Sequence, residues 1–285
     1  MRLKIGVFGA GGFIGTEVVK YLKLSFDVTP LKSSLLYLDP YELSVYLKNL
    51  NIIINLAGHP VSGRWTKSKK RKIYVSRVST TKNLVDAIAL LDKKPIQLIN
   101  ASAIGVYADK TIYDENSIDY AENFLSEVVL SWEKEANEVV KFGTNLTLIR
   151  IGVVLSRKGG MYSMIRKIFK IGFGGKLGNG AQGFSFILLN DLVKVFSFTI
   201  ENNVYGIVNG VCPTPSTNLE FTKLLAFVLR RPAFFSVPSF VLRLLLCEGS
   251  SIVLEGQRVI PNRLISAGFT FEAENLYDSL KILEK

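Results

Sequence analysis

A chain of 285 residues with 48% hydrophobic and 21% charged residues has the composition of a folded protein with a sizeable core, and it lies outside the disordered class. Two cysteines, Cys212 and Cys247, are too few for a disulfide framework, and the apolar stretch Phe240 to Cys247 is interrupted by Arg243 and falls short of the ~20 residues a membrane span needs. Met1 to Lys4 lead directly into an apolar strand instead of a cleavable segment, so the expectation is a cytoplasmic protein with no membrane partner; the net charge of +11 favours anionic ligands without choosing among phosphorylated cofactors, nucleic acid and acidic surfaces.

The first stretch, Leu3 to Gly15, reads LKIGVFGAGGFIG. Ile5, Val7 and Phe8 predict a buried strand, Gly9, Gly12 and Gly15 a glycine turn, and Thr16 to Leu24 a helix. That order is the pyrophosphate-binding device of a dinucleotide fold. Gly9 supplies the tight turn, Gly12 admits the phosphates to the main chain, and Gly15 lets helix and strand pack closely. The free amides at the helix start face an anion. Gly11, Phe13 and Ile14 therefore join the three glycines as candidate cofactor contacts.

Val28 to Leu31 predicts a second strand, ending at Lys32, Ser33 and Ser34. An acid about 20 residues beyond the glycines would accept from the ribose hydroxyls. None is present and Lys32 is, which favours NADP over NAD, with a plain surface lysine as the alternative. Asp39 to Asn49 predicts a short helix with Leu43, Leu47 and Leu50 on one face. The run Ile52 to Gly58 then predicts a central parallel strand, with Leu56, Ala57 and Gly58 opening its carboxyl end to a ligand.

From Gly63 a long helix is expected to run to Leu91. Arg64, Lys67, Lys69, Lys70, Arg71 and Lys72 put six basic residues in nine positions. Such a run reads as a solvated helix face; nucleic-acid binding would want interleaved aromatics, and Trp65 alone does not supply them. Pro95 to Ala101 predicts a further strand, with Ser102 at its carboxyl end, where a hydroxyl meets a substrate oxygen beside a nicotinamide ring or merely forms a turn. Ser126 to Lys141 predicts a helix with Trp132, Ala136 and Val140 facing inward. Leu146 to Val154 predicts a strand carrying Arg150, costly to bury unless paired, so a structural ion pair and a ligand role stand equally.

Between residues 157 and 183 glycines surround an amphipathic segment, Met161 to Ile171, a passage suited to folding over a ligand or to an irregular connection. Asp191 to Glu201 predicts a helix and Gly206 to Val211 a last strand. The fold class is therefore α/β: a Rossmann-like doubly wound parallel sheet over residues 1–211 and a smaller, mainly helical substrate-binding part over 212–285.

Several pieces recur in one order: Gly9, Gly12 and Gly15 around Phe13-Ile14; NLAG at Asn55 to Gly58; RWT at Arg64 to Thr66; SRV at Ser76 to Val78; ASAIGVY at Ala101 to Tyr107; Trp132-Glu133; RIGVVL at Arg150 to Leu155; NDL at Asn190 to Leu192; RRPAF at Arg230 to Phe234; QRVIPNRL at Gln257 to Leu264; and AGFTF at Ala267 to Phe271. With these the chain resembles the atypical or extended branch of the short-chain dehydrogenase/reductase superfamily. The closer resemblance is to NAD(P)-dependent epimerase-like proteins with a C-terminal domain of unknown function, some described as cell-division-inhibitor-like or as nucleoside-diphosphate-sugar epimerases. The resemblance implies that Gly9, Gly12, Gly15, Ala57, Gly58 and Ser102 lie along the cofactor.

Active members of that superfamily use a tyrosine and a lysine at YxxxK spacing to move a proton. Aligned on Trp132-Glu133, those places hold Phe124 and Val128, which transfer none. Leu188 and Ser156 also depart from the family pattern, where a histidine and a glycine are usual. Tyr107 and His59, the only histidine, are then the substitutes for the missing proton donor, with a surface role for His59 as the plainer reading. The leading expectation is an NADP(H)-binding epimerase or oxidoreductase acting on a small or nucleotide-linked substrate, without a metal, as monomer or homodimer. The rival is a non-catalytic NADP(H)-binding regulator of a protein partner.

Overall fold

The computed structural model describes residues 2–285. Six strands form its central sheet: β1 (Lys4–Phe8), β2 (Asp27–Leu31), β3 (Ile52–Asn55), β4 (Gln97–Ala103), β5 (Asn145–Ile151) and β6 (Gly206–Gly210). All neighbours are parallel, in the order β6-β5-β4-β3-β1-β2. The chain leaves β1 for one edge and returns past it to β3, so the direction of winding reverses between β1 and β3. A ligand crevice belongs at that reversal, outside the carboxyl ends of the strands.

The strands are apolar without alternation because helices cover both faces. On one face, side chains such as Ile5, Val7, Ile54 and Ile99 meet α1 (Phe13–Leu22) and α7 (Leu189–Glu201) through Val18, Leu22, Leu192 and Phe196. On the other, Phe8, Ile53 and Leu98 meet α2 (Pro40–Leu47), α4 (Thr80–Ala89) and α5 (Phe124–Asn137). Side chains one residue apart on β3 thus serve opposite cores, as the pleat requires.

Two expectations about helices are corrected. The segment from Gly63 to Leu91 is not one regular helix: α3 (Lys67–Tyr74) is capped by the Thr66 hydroxyl, which accepts from the Lys69 amide, and a π-helical turn over Val75–Ser79 separates it from α4. The wider turn re-aims the two helical faces relative to each other. Val140, expected inside, is 52% exposed, while Val139 is fully buried. After α5 the chain tightens into a 3-10 turn over Glu138–Phe142, so the inward position falls three residues after Ala136 instead of four.

Beyond the sheet come α6 (Gly160–Lys170), α8 (Asn218–Leu229), α9 (Ser239–Leu246), α10 (Ser251–Leu254), α11 (Asn262–Ser266) and α12 (Leu276–Glu284). Tyr162 and Phe169 of α6 share an apolar cluster with Phe221 and Leu225 of α8 and with Leu276 and Leu280 of α12. Gly175–Leu177 pairs with Phe235–Val237, tying the glycine-rich passage to the C-terminal helices. Leu264 and Phe271 reach back into the sheet's own core.

Asp191, in the first turn of α7, anchors that return: it is 1% exposed and accepts from the Glu272 amide at 2.9 Å. Burial lifts its carboxyl from the ordinary 3.8 to about 6, against the lowering effect of that amide. The native state therefore takes up this proton at a higher pH than the unfolded chain does. The contribution favours folding below about pH 4 and is lost as pH rises through 6. Compared with Asp191→Asn, the wild type should gain on the order of 2 kcal/mol of relative stability between pH 7 and pH 4, read from denaturant unfolding at both values; a gap that moves in the other direction contradicts the assignment.

Candidate functional site

The glycine turn sits at the reversal of the sheet. Gly9 has φ +77°, and a side chain there would put its Cβ 2.6 Å from the carbonyl carbon of Leu56. A Cβ on Gly15 would be driven into the carbonyl oxygen of Gly9, so α1 packs against the turn only because that atom is missing. The Gly12 amide donates to the Gly9 carbonyl at 2.9 Å. Among the described residues no side chain caps α1, and its first turn holds no acid, which leaves its amide end open to an anion. Gly11 faces open space, Ile14 packs partly into the core, and the Phe13 ring lies under Gly159 and Gly160 at the start of α6.

The end of β3 is held by Asn55, 1% exposed. Its Nδ2 donates to Asn100 Oδ1 at 2.8 Å and to Thr81 Oγ1 at 3.1 Å, and its Oδ1 accepts from the Ala57 amide at 3.2 Å. Trp132 Nε1 donates to the same threonine at 2.8 Å. This network sets the path of Leu56, Ala57 and Gly58 across the strand ends. Beyond it opens a cavity of about 680 Å³, lined by Ser33, Ala57, Gly58, His59, Arg71 and Lys72 among others.

That lining reassigns the basic run. Lys69 is tied to the Ser62 carbonyl and Lys70 to Glu248, whereas Arg71 and Lys72, in the last turn of α3, border the cavity. Lys32 is exposed beside it, and its neighbour Ser33 forms the wall. Arg77, which the sequence offered only as part of SRV, is a further cation at this edge. Its Nη1 donates to the His59 carbonyl at 3.0 Å, its guanidinium lies 5.4 Å from the Trp132 ring, and burial lowers its pKa to about 10. His59 is held by its backbone, whose amide donates to Ser76 Oγ at 2.9 Å, and the residue borders the cavity of Arg71 and Lys72.

Ser102 and Tyr107 come together around the Arg150–Glu133 pair. Arg150 is 1% exposed, and its Nε and Nη2 donate to Glu133 at 2.8 and 2.7 Å, a bidentate pair. The guanidinium makes the ion pair, and among the described residues its Nη1 is buried with no hydrogen-bond partner. Burial opposes its charge; the hydrogen bonds and charge of Glu133 outweigh burial and hold the guanidinium firmly protonated. The Ser102 hydroxyl donates to the same carboxylate. Arg150 also lies 4.8 Å from the ring centroid of Tyr107, whose hydroxyl donates to Asn209 Oδ1 at 3.0 Å. Burial raises the phenol's pKa, which Arg150 only partly offsets.

Glu133 is the residue that sequence reasoning missed, having quoted it as a landmark only. A buried arginine in a central strand demands a carboxylate, and that signal could have found it. Phe124 meets Trp65 edge-on at 5.5 Å, and Val128 lies in the same apolar cluster, so both are packing residues in this structure. Leu188 is buried in a short strand beside Leu155, and Ser156 Oγ accepts from the Lys158 amide.

A second cavity, of about 300 Å³, opens beyond β4 and β5. Its walls include Ile104, Ile151 and Val153 from the sheet side, Met161 and Ile165 from α6, and Phe221 from α8. His59 borders the first cavity, and Ala103 to Gly105, next to Ser102, border the second. The ion pair itself can be tested. Glu133→Ala strands a buried charge and should cost about 3–5 kcal/mol in denaturant unfolding, while the double change Glu133→Leu with Arg150→Met recovers most of it; a single-variant loss below about 1 kcal/mol contradicts a structural pair.

Comparison with known proteins agrees with this architecture. Residues 5–210 match the family described as NAD dependent epimerase/dehydratase, and residues 237–283 match a C-terminal domain of unknown function. An epimerase family protein of Staphylococcus haemolyticus is 37% identical over 284 residues, covering 95% of each chain. The chloroplastic homolog of epimerase family protein SDR39U1 from Arabidopsis thaliana is 34% identical over 99% of this chain and 87% of its own. The crystal structure of human epimerase family protein SDR39U1 with NADPH superposes with a TM-score of 0.89 at 29% identity, covering 99% of both chains. The sheet order, the glycine turn and these matches together make the chain a member of the NAD dependent epimerase/dehydratase family, of the kind that carries this C-terminal domain.

Proposed function

We propose that this chain binds NADP(H) along the carboxyl edge of its sheet and acts as an oxidoreductase or epimerase on a small molecule held in the second cavity. The observation that carries the reading is the first cavity: Arg71 and Lys72 border it beside Ser33, and none of the described residues lining it is Asp or Glu. A carboxylate would select the bare ribose hydroxyls of NAD; two cations suit a 2′-phosphate. The human relative was crystallised with NADPH, which supports the same choice.

The residues present fit the dinucleotide. Gly9 and Gly15 form a cradle that a Cβ would fill, and the open end of α1 faces the place of a pyrophosphate. Asn55 fixes the main chain at Ala57, which with Gly58 borders the first cavity and would contact the dinucleotide there. Lys32, exposed next to Ser33, adds to the positive field at the mouth. When bound, the cofactor supplies hydride transfer. The chain's own part near the reacting end is to hold β4 and β5 rigid: Ser102, Glu133 and Arg150 lock the two strands together side by side.

A second reading, a non-catalytic NADP(H)-dependent regulator, draws on one observation. The protons of Ser102 and Tyr107 are committed to Glu133 and Asn209, and Phe124 and Val128 are apolar. Turnover of any carbonyl substrate with NADPH at rates lost in Ser102→Ala decides for the enzyme.

Calorimetric titration of nucleotide-free protein tests the cofactor directly. NADPH should bind at least tenfold more tightly than NADH, a gap of ~1.4 kcal/mol. Arg71→Ala with Lys72→Ala should remove most of that preference and leave NADH affinity unchanged. Equal affinity for the two cofactors, or binding of neither, contradicts the reading.

A further inference from the structure

The geometry points to an uncharged, largely apolar small molecule, and not a nucleoside diphosphate sugar, as the occupant of the second cavity. This rests on the reading that NADP(H) fills the neighbouring crevice.

Charge is distributed unequally between the two cavities. The chain carries a net charge of +11, yet none of the described residues lining the second cavity is Lys, Arg or His. Its one charged lining group is Glu255, a carboxylate, which accepts from Asn123 Nδ2 at 3.3 Å. A diphosphate brings two negative charges, which need cationic or amide partners once removed from water. Here they would meet an anion instead.

The polar side chains in the wall do not make up the deficit, because most are committed to the protein. Gln182 Nε2 donates to the carbonyls of Leu177 and Val253 at 3.1 and 2.9 Å. The Ser185 hydroxyl donates to the Gln257 carbonyl at 2.9 Å, and the Ser251 hydroxyl to the Glu248 carbonyl at 3.0 Å. What remains toward the space is mainly hydrocarbon: Ile104, Leu125, Ile151, Met161, Ile165 and Phe221. An adjoining cleft, bordered by Asn123, Ser251 and Glu255 as well, does contain Arg243, but Glu255 lines it too, and Glu248 there is paired with Lys70, so it offers no excess of cations. A volume of about 300 Å³ stands at the small end of ligand sites.

The first cavity supplies the contrast within one molecule. Where a phosphate belongs, the fold brings Arg71 and Lys72 and excludes acids; where the substrate belongs, it excludes cations. A site built for hydrocarbon binds an apolar ligand through burial and rejects a charged one through unpaired desolvation.

The test uses the full chain saturated with NADP⁺, with saturation verified first by calorimetry. Failure of NADP⁺ and NADPH to bind at that step overturns the cofactor reading and, with it, the inference built upon it. On the loaded protein, saturation-transfer NMR is recorded with 4-phenylcyclohexanone and with UDP-glucose. The ketone should receive saturation, and Ile165→Trp, which fills the cavity, should reduce that transfer at least fivefold without changing NADP⁺ affinity. UDP-glucose should receive none that Ile165→Trp abolishes. Cavity-dependent transfer to UDP-glucose, or displacement of the ketone by it, overturns the inference while leaving the cofactor reading intact; so does a ketone signal that is absent or indifferent to Ile165→Trp.

Discussion

A guanidinium buried inside a central strand has to be paired, and that requirement organises the carboxyl edge of this sheet. Arg150 takes both oxygens of Glu133, which brings α5 down against β4 and β5, and the same carboxylate accepts from Ser102 at the end of β4. Tyr107 packs over the cation and reaches Asn209 on β6, so three adjacent strands share one buried polar cluster. In low dielectric such a cluster is stiff because any partial opening leaves a charge unsatisfied. Ala103 to Gly105, which follow Ser102 in the chain, and Ile151, which follows Arg150, line the second cavity.

The chain also separates two kinds of surface. One end of the crevice is cationic, built from the last turn of α3 and the end of β2. The other is apolar, built from the passage over 157–183 and the C-terminal helices. The separation follows from topology. The first three strands and α3 cluster at the winding reversal, whereas the late segments pair with one another, as Gly175–Leu177 does with Phe235–Val237. On the proposed reading, a cofactor and a substrate of opposite physical character lie side by side, each with its own solvation.

Much of this was legible in the residues. The strand, glycine turn and helix at Leu3 to Leu24 are local, because Gly9 and Gly15 are needed within a few residues of where they stand. Long apolar runs such as Ile52 to Ile54 identified the buried strands for the same reason. The partner of Arg150 was not legible as a name, only as a need, since Glu133 lies 17 positions away and meets it by tertiary packing. The destination of Arg71 and Lys72 was hidden by the π-helical turn after α3, an extra residue that no periodicity announces. Val140 was misplaced because a helix that tightens at its end changes its period. The seclusion of Tyr107 depends on Tyr113, stacked at 5.5 Å, and on Asn209, about a hundred positions on, neither of which a linear pattern connects.

On the proposed reading, Arg71 and Lys72 in the last turn of α3, beside the end of β2, exist for a phosphate. The most direct measurement is the phosphorus NMR titration of NADP⁺ bound to the protein, following its 2′-phosphate against pH. If Arg71 and Lys72 hold that group, its second ionisation, near 6 for an ordinary phosphate monoester, shifts down on binding, because neighbouring cations favour the dianion, and the shift shrinks in Arg71→Ala with Lys72→Ala. A 2′-phosphate that titrates on the protein as it does free in solution would contradict the account.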